Sequence, residues 1–421
     1  MRKVIVQKFG GTSVADTNKI KNVAKTVIRE KENGNDVVVV VSAMGHTTDY
    51  LVKMAGELSS NPSCREMDML LSTGEGVSIA LLAMAIQSAG YEAVSFNAMQ
   101  IGIMTEKIHS KARIVDIKTE KLRTNLNEGK IIVVAGFQGV TADGEITTLG
   151  RGGSDTSAVA LAAALNAERC DIYTDVEGVY TTDPRVVPNA SRLEQISYEE
   201  MLELAHAGAN VLHPRSVETA KQFSVPLRVR SSFKLDNLGT LILGVEKMEI
   251  YKPVAGVAAD LSQIRIVVTD VPDKPGSAAL LFSRLANENI SVDMIIQSYA
   301  RKVSNTNDIA FTIDQADLEK AVSILGNIRE ELNAGEIKVD DDIAKVSIVG
   351  AGMIDRPGIA SAMFETMAEQ GINIRMISTS EIKISCLVDK DKAQKAIQSL
   401  HKVFELECEE IAEIKGDLPN I

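Results

Sequence analysis

Two glycine-rich turns carry the residues best suited to phosphate chemistry. The first is "VQKFGGTSVAD", in which Lys8 precedes Gly10-Gly11 and Thr12-Ser13. Glycines let the backbone approach a ligand closely, and the hydroxyls can cap a following helix whose N–H groups then face outward. With Lys8 beside it, this turn suits a polyphosphate. A plain strand-to-helix turn with a surface lysine has the same pattern.

The second turn is "TTLGRGGSDTSAVALAAALNA", which starts at Thr147 and brings Arg151, Ser154 and Asp155 to the start of a helix. A planar guanidinium binds a carboxylate or a phosphate through two hydrogen bonds. Asp155 cannot serve the same anion, so we expect it to orient Lys8, a metal or the phosphate acceptor. The alternative is a helix cap, with Asp155 interacting with the helix dipole.

Three further polar segments follow predicted strands or open predicted helices. In "SAMGHTTDYL", Ser42 and Thr48 offer hydroxyls to phosphoryl or carboxylate oxygens. In "LSTGEGV", Glu75 stands between two glycines, where we expect it to be exposed and able to receive an ammonium group. The loop of residues 173–190 offers a ring, donors and a cation through Thr174, Asp175, Tyr180 and Arg185. Ordinary helix caps and surface turns have similar sequences.

The elements that position these residues alternate along residues 1–245. Short β-branched runs, such as "DVVVVVSA" from Asp36, alternate with alanine- and leucine-rich segments. This pattern predicts a mainly parallel sheet between helix layers, whose ligands bind at the carboxyl ends of the strands. Both glycine turns fall at that edge, so the pattern favours a phosphoryl transfer that depends on positioning and charge neutralisation.

An internal repeat fills much of the remaining chain. Residues 268–298 and 349–380 align, with Asp273, Pro275 and Gly276 matching Asp355, Pro357 and Gly358. Each copy reads as a strand, an Asp-x-Pro-Gly turn, an amphipathic helix and a second strand. Two copies are too few for a solenoid, so we expect them to pair side by side or across a dimer.

The composition of the chain excludes several classes of function. The chain has 421 residues and a net charge of −12, which argues against nucleic-acid binding. The most apolar runs, such as residues 37–41, are too short to span a membrane. The four scattered cysteines indicate reduced thiols in a cytoplasmic protein. The five histidines share no ligand spacing, so no protein-built metal site is predicted.

Taken together, "KFGGTSV", "VVSAMGHTTDYL", "LSTGE", "TTLGRGGSDTSA" and "YTDVEGVYTTDPR" resemble the aspartate kinases (aspartokinases), of the amino-acid kinase fold. The resemblance runs essentially end to end and matches the monofunctional form. It implies an α/β kinase domain over residues 1–247, followed by two ferredoxin-like βαββαβ ACT domains over residues 264–338 and 339–421. Residues 248–263 would form a linker or an extra strand.

The resemblance implies ATP-dependent phosphorylation of the L-aspartate side-chain carboxylate to 4-phospho-L-aspartate. This is the first step towards lysine, threonine and methionine, and in many bacteria towards diaminopimelate. The acceptor is already an ionised carboxylate, so no general base is required. Mg²⁺ should accompany ATP, because the phosphate charges exceed what Lys8 and a few N–H groups can neutralise.

Site roles carry over motif by motif. Lys8 would bridge the transferred phosphoryl group, and Asp155 would organise Lys8. The substrate would be held by Thr48, Glu75, Arg151, Gly152, Gly153 and Ser154, with Arg151 on the α-carboxylate and Glu75 on the ammonium. The nucleotide would be held by Lys8, Phe9, Gly10, Gly11, Ser42, Thr174, Asp175, Tyr180 and Arg185. Many relatives have a lysine where this chain has Asn210, which puts one ATP contact in doubt.

The ACT pair implies feedback regulation by lysine, threonine or both. The candidate effector residues are Asp273, Gly276, Ser277, Asp293, Gln297 and Glu381. The second copy could equally be a structural element that binds no effector. The family also implies a homo-oligomer or a complex with a separately made C-terminal regulatory subunit, for which Met248 is a possible start.

Two other functions fit part of the pattern. One is another amino-acid kinase, acting on glutamate, acetylglutamate, carbamate or a nucleoside monophosphate. "GRGGSD" and Glu75 favour a free amino acid that bears both α-groups, and the ACT pair favours aspartate. The other is a non-catalytic amino-acid sensor. Intact Lys8, Arg151 and Asp155 weigh against it, whereas Asn210 favours it.

Overall fold

The computed structural model describes residues 2–209, 211–245, 252–298, 305–354 and 356–408. Asn210, Met248 and Asp355, which the sequence analysis singled out, lie outside these ranges. The chain divides into two compact units. The first comprises residues 1–180, 192–206 and 210–249, and the second comprises residues 181–191, 207–209 and 250–421.

The first unit is built on an eight-stranded sheet of order β10-β12-β11-β9-β1-β2-β6-β3. The paired strands are parallel except for β11 and β12. The strands of this sheet are β1 (Val4–Phe9), β2 (Asp36–Val41), β3 (Ala93–Phe96), β6 (Ile131–Ala135), β9 (Arg169–Thr174), β10 (Gln195–Ser197), β11 (Leu227–Ser231) and β12 (Thr240–Leu243). A smaller sheet joins β4 (Ile103–Thr105), β5 (Ile114–Ile117), β7 (Gln138–Val140) and β8 (Ile146–Thr148).

Helices pack on the main sheet in two groups. They are α1 (Thr17–Glu32), α2 (Thr47–Leu58), α3 (Cys64–Leu71), α4 (Thr73–Ser88), α5 (Ala98–Ile101), α6 (Glu120–Asn127), α7 (Gly153–Leu165), α8 (Tyr198–His206) and α9 (Pro214–Gln222). α1 packs with α4, and α7 packs with α9 and with β1. Strand β2 is buried on both faces, as its continuous valine run predicts. The predicted mainly parallel sheet between helix layers is confirmed.

One helical run is longer than the apolar stretches considered from the sequence. Residues Cys64–Ser88, which cover α3 and α4, have a mean hydropathy of 1.7 over the most apolar window and are long enough to cross a membrane by length and composition alone. The expectation that apolar stretches are too short is therefore wrong for this run. Its side chains Ile79, Leu82 and Ile86 are buried in the core with α1 and β2, as in the core helix of a globular domain.

The second unit contains two four-stranded antiparallel sheets. The first repeat forms β14 (Gln263–Pro272), α10 (Ser277–Asn287), β15 (Ile295–Gln297), β16 (Thr306–Asp314), α11 (Leu318–Leu332) and β17 (Ile337–Asp340). Its sheet order, β15-β16-β14-β17, is the ferredoxin-like order that was predicted.

The second repeat forms β18 (Ile343–Val349), α12 (Ile359–Glu369), β19 (Met376–Thr379), β20 (Lys383–Asp389) and α13 (Ala393–Val403). In the order β13-β18-β20-β19, its outer position is filled by β13 (Gly256–Asp260), which precedes the whole first repeat. Met294 of the first repeat packs with Ile343, Met376 and Leu387 of the second. Gly276 and Gly358 have left-handed φ values of 100° and 104°, so both copies use the same glycine turn.

A short segment from the middle of the chain completes the second unit. The Thr181 carbonyl accepts a hydrogen bond from the Val257 N–H of β13, at 2.7 Å. The Thr181 hydroxyl lies 2.8 Å from His401 Nε2, on the fully buried ring of α13. Residues 181–191 therefore contribute both backbone and side-chain contacts to the second repeat.

Candidate active site

The first glycine turn is held against the loop that follows β2. The Gly45 N–H donates to the Gly11 carbonyl at 3.0 Å. A Cβ on Gly11 would lie 2.8 Å from the Ala43 carbonyl oxygen, so a side chain cannot be accommodated there. A Cβ on Gly10 would lie 3.5 Å from Lys8 Nζ, in the space beside the ammonium group. The two glycines thus keep backbone close to backbone and leave room next to Lys8.

Lys8 and Asp155 form an ion pair across the two glycine turns. Lys8 Nζ lies 2.6 Å from Asp155 Oδ1, and the two side chains are 12% and 13% exposed. The Ser42 hydroxyl donates to the Ser154 hydroxyl at 2.9 Å, which joins the end of β2 to the first turn of α7. The structure thereby brings together Lys8, Ser42, Ser154 and Asp155 from three separate segments.

The second glycine turn is fixed by tight packing and by a half-buried arginine, Arg215. Gly152 has φ +67°, and a Cβ on it would lie 2.3 Å from His213 Cβ, so both conformation and space require glycine. Arg215 donates to the Leu149 carbonyl at 2.8 Å and to the Ala112 carbonyl at 2.6 Å. Arg151 at the tip of the turn is exposed. Its guanidinium has no partner within the described part of the chain and is free to bind an anion.

Glu75 is buried, not exposed as predicted. It is 2% exposed, because Gly74 lets α4 lie directly on Ala43. Glu75 Oε1 accepts a hydrogen bond from the Ala43 N–H at 3.1 Å, whereas Oε2 has no hydrogen-bond partner in the described ranges of the chain. Burial raises the pKa of Glu75 to about 7, and the N–H groups of Glu75 and Ala43 oppose this shift in part. An unpartnered carboxylate oxygen at this position is suited to a cationic ligand.

Comparisons with known proteins point to one family. Residues 3–231 match the amino acid kinase family, and residues 264–327 and 346–404 match the ACT domain. The aspartokinase of Bacillus sp. strain MGA3 is 55% identical over 96% of this chain and 97% of its own length. Aspartokinase 2 of Bacillus subtilis is 52% identical over 96% and 98%. The chain belongs to the aspartokinase family.

Solved aspartokinase structures share the fold. Aspartokinase III of E. coli, in complex with aspartate and ADP, has a TM-score of 0.82 and is 28% identical over 96% of this chain and 100% of that chain. The aspartate kinase from Synechocystis is 48% identical over 98% of this chain and 71% of that chain, with a TM-score of 0.53. The chain is therefore an enzyme, a phosphotransferase that phosphorylates aspartate on a carboxyl group, with the expected kinase fold and ACT domains.

The remaining candidates for nucleotide binding in the first unit differ in accessibility. Phe9 is 1% exposed, and its ring stacks on Tyr173 with centroids 4.4 Å apart. The Phe9 side chain is thus part of the core, so a ligand could contact only the backbone of this residue. Thr174 and Asp175 follow β9 at the carboxyl edge of the sheet, and the Thr174 hydroxyl donates to Asp175 Oδ1 at 3.1 Å. Tyr180 is half-buried at the end of the same loop.

Arg185 belongs to the second unit and is paired with Asp183, two residues before it in the chain. Its Nε lies 3.0 Å from Asp183 Oδ1, and its Nη2 lies 2.6 Å from Asp183 Oδ2. The fork of this guanidinium is thus engaged by a neighbouring carboxylate. Thr48 is half-buried in the first turn of α2. Within the described ranges, no group of three or more His, Cys, Asp or Glu residues is placed to hold a metal ion.

The candidate effector site of the first repeat lies at the start of α10. The Asn307 side-chain amide donates to Asp273 Oδ1 at 3.2 Å and orients this carboxylate. Gly276 precedes α10 in the left-handed conformation. The Ser277 N–H already donates to the Lys274 carbonyl at 3.3 Å, and its hydroxyl donates to Pro272. The N–H and the hydroxyl of Ser277 are therefore both engaged by carbonyl groups of the preceding turn.

The remaining effector candidates lie on or next to the outer strands of the two sheets. Gln297 and Glu381 are exposed. Asp293 is hydrogen-bonded to Lys345 Nζ, which comes from β18 of the second repeat and is 3% exposed. Asp293 therefore already holds an ammonium group from within the chain. Sequence reasoning missed Lys345, although one lysine within the apolar run "IAKVSIV" was a visible signal of a buried charge with a partner.

Proposed function

We propose that the two glycine turns bind ATP and L-aspartate side by side and that Lys8 neutralises the phosphoryl group in transfer. The observation that carries this proposal is the 2.6 Å ion pair between Lys8 and Asp155. It places the cation of the first turn at the start of α7, where the second turn ends. Such fixed positive charge at the point of transfer is the main source of catalysis in phosphoryl transfer.

The aspartate side of the site consists of a cation, an anion and hydroxyl groups. We assign the α-carboxylate to Arg151, the ammonium group to Glu75 Oε2 and the reacting carboxylate to Thr48. Gly152, Gly153 and Ser154 line the same turn. The support for this assignment is that, among the residues that the structure describes, exposed Arg151 has no partner and buried Glu75 has one oxygen without a partner.

The nucleotide side draws on the carboxyl edge of the sheet. We assign the phosphates to Lys8, Gly10, Gly11, Ser42 and the backbone of Phe9. The loop after β9, with Thr174, Asp175 and Tyr180, is assigned to the rest of the nucleotide. The aspartokinase III structure with aspartate and ADP, which this chain matches almost end to end, supports this use of the fold. The nucleotide role of Arg185 stays a prediction.

The transfer itself needs few protein groups. An oxygen of the aspartate side-chain carboxylate attacks the γ-phosphorus, and the bond from that phosphorus to the bridging oxygen breaks. ADP leaves with the bonding electron pair. The carboxylate is ionised near neutral pH, so no proton has to be removed. The Asp155 carboxylate keeps the Lys8 ammonium in place while charge moves towards ADP.

Mg²⁺ is proposed to enter with the nucleotide. The described residues offer no cage of three or more acidic or imidazole ligands, and Asp155 is already paired with Lys8. These observations fit an ion held mainly by phosphate oxygens and water, as Mg²⁺ often is. Such an ion would neutralise part of the triphosphate charge.

An ATP-dependent hydroxamate assay on L-aspartate tests the proposal. The wild-type chain should form aspartyl hydroxamate, whereas Lys8→Ala should lose most turnover and keep aspartate binding. A Lys8→Ala variant with wild-type kcat would refute the role of Lys8. The same assay with glutamate as substrate separates aspartate kinase from other amino-acid kinases. Absence of product in the wild-type chain would favour a non-catalytic sensor.

We further propose that lysine, threonine or both inhibit the enzyme through the second unit. Asp273, with Asn307 behind it, and Gly276 at the start of α10 are the groups we assign to an amino-acid effector. Gln297 and Glu381 remain candidates from their exposure. E. coli aspartokinase III has been solved in complex with lysine and aspartate, which supports lysine as an effector class. Hydroxamate assays with lysine, threonine and both together identify the inhibitor.

The wider setting is also proposed from the family. The product would feed lysine, threonine, methionine and diaminopimelate synthesis in the cytoplasm, where ATP and free aspartate are abundant. The domain bounds 1–247, 264–338 and 339–421 stay a prediction. We expect a homo-oligomer, or a complex with a C-terminal polypeptide started near Met248. Light scattering of the purified protein distinguishes these assemblies by mass.

A further inference from the structure

A second buried carboxylate lies outside the site assigned above. Asp68, on α3, has no solvent exposure. Its Oδ1 accepts from the Thr148 hydroxyl at 2.6 Å, and its Oδ2 lies 2.8 Å from His109 Nδ1. The Ser110 N–H lies within 3.1 Å of both oxygens. Burying a charged group is costly unless it is fully hydrogen-bonded, and Asp68 meets this condition.

The donors to Asp68 come from two segments, one that leads into the second glycine turn and one that contacts it. Thr148 ends β8, two residues before Gly150. The Ser110 carbonyl oxygen would lie 3.0 Å from a Cβ on Gly150, so the two backbones are in contact. Ser110 has φ +68°, which is uncommon for serine. The hydrogen bond from its N–H to Asp68 holds it there.

The same two segments are tied to each other as well as to Asp68. The Ala112 N–H donates to the Thr148 carbonyl at 3.0 Å. Arg215 then donates to the carbonyls of both Ala112 and Leu149. The backbone leading into Gly150 is therefore fixed by Asp68 from one side and by Arg215 from the other. Arg151 itself has no side-chain partner among the described residues, so its location depends on this backbone.

We propose that Asp68 is a positioning residue for aspartate binding, acting through Thr148 and Ser110 on the turn that carries Arg151. This inference rests on the proposed role of Arg151 as the clamp of the α-carboxylate. A bidentate contact tolerates little displacement, and an error of about 1 Å in a binding group can cost about 100-fold. Loss of an Asp68 contact should therefore weaken aspartate binding, although Asp68 touches no substrate.

The test compares two neighbouring threonines. Thr148→Val removes the hydroxyl that donates to Asp68 and keeps the side-chain shape. Thr147→Val is the matched control, because Thr147 is equally buried in β8 but its hydroxyl lies 2.6 Å from that of Thr105. We expect Thr148→Val to raise the KM for aspartate about tenfold or more, since it removes a hydrogen bond to a charged group. The KM for ATP should change less than about twofold.

Thr147→Val should lower the melting temperature about as much as Thr148→Val does. It should leave the KM for aspartate unchanged. Equal aspartate KM values in the wild type and Thr148→Val would overturn the inference, as would equal rises in both valine variants. Should Thr148→Val not fold, His109→Leu removes the imidazole nitrogen that contacts Asp68 Oδ2 at a partly exposed position and is read out in the same way.

Arg151→Lys, measured in parallel, separates this inference from the proposed function. An unchanged aspartate KM in Arg151→Lys refutes the proposed contact between Arg151 and the α-carboxylate. The positioning role of Asp68 then has no basis either. A raised KM in Arg151→Lys together with an unaltered KM in Thr148→Val refutes the role of Asp68 alone. In the double variant the two effects should not add, because a lysine without the fork gains little from exact placement of the turn.

Discussion

Replacing Glu75 by glutamine separates the cost of burying a carboxylate from its use in ligand binding. The side chain is 2% exposed, and one of its oxygens has no hydrogen-bond partner among the residues described. Glutamine keeps the shape and resembles the protonated acid, so the Ala43 N–H retains an acceptor. The variant should therefore be more stable than the wild type at high pH and bind aspartate poorly.

The size of the effect follows from the pKa. Burial raises the pKa of Glu75 from 4.5 to about 7. A tenfold change in proton affinity is worth about 1.4 kcal/mol, so the ionised form costs about 3 kcal/mol of folding free energy. Because the folded-state pKa is raised, the wild type keeps this stability below pH 4.5 and loses it as the pH rises through about 7. The introduced glutamine does not titrate, so the Glu75→Gln variant keeps this stability at high pH.

Thermal unfolding at two pH values checks this prediction. At pH 8 the Glu75→Gln variant should melt several degrees above the wild type, since about 1 kcal/mol corresponds to ~2–4 °C in a domain of this size. At pH 5 the difference should shrink to about a quarter, because pH 5 lies only slightly above the unfolded-state pKa of 4.5. Glu57→Gln, the same substitution at an exposed position of α2, is the control for the loss of one carboxylate.

Aspartate binding completes the experiment. Aspartate should raise the melting temperature of the wild type but not that of Glu75→Gln, because ligand stabilisation requires affinity for the folded state. Equal melting temperatures of wild type and variant at pH 8 would show that burial does not penalise the carboxylate. Stabilisation of the variant by aspartate would remove Glu75 from the ammonium site.

Three further substitutions have defined outcomes. Arg151→Lys keeps the charge but loses the two-pronged geometry, so the KM for aspartate should rise at least tenfold in steady-state assays; an unaltered KM would contradict the clamp. Lys8→Ala should lower kcat by two or more orders of magnitude while calorimetry finds aspartate affinity within about threefold of wild type; a small change in kcat would exclude Lys8 from the transfer. Lys345→Met leaves Asp293 without its internal ammonium, so an effector that uses Asp293 should inhibit at lower concentration, whereas an unchanged inhibition curve would exclude Asp293 from effector binding.

Features fixed by local sequence could be predicted well. The valine run of β2 specified a strand buried on both faces, and each glycine turn specified a strand-to-helix connection. Strands that run parallel end at one edge, so the neighbourhood of Lys8 and Asp155 followed from the topology. The duplicated Asp-x-Pro-Gly turn specified two copies of one fold, and Gly276 and Gly358 indeed share one conformation.

Features that depend on distant contacts could not be predicted. Glu75 is buried because Gly74 lies against Ala43, a contact between segments about thirty residues apart in the chain. Asp293 is paired because a lysine in another repeat reaches it. The network around Asp68 joins α3, β8 and the 109–112 loop. No sequence pattern in any one of these segments indicates that it contacts the other two. Periodicity reports the local environment of a residue and not the identity of its partners.

The place of β13 gives the second unit an unusual modularity. β13 ends at Asp260 and β18 begins at Ile343, and the two strands pair antiparallel with Asp260 opposite Lys345. The whole first repeat is thus inserted at the tip of what is otherwise a β-hairpin. A short turn joining residues 260 and 343 would restore that hairpin and leave a four-stranded fold of its own. Evolution or a protein engineer could therefore exchange the inserted module without cutting a single strand of its host.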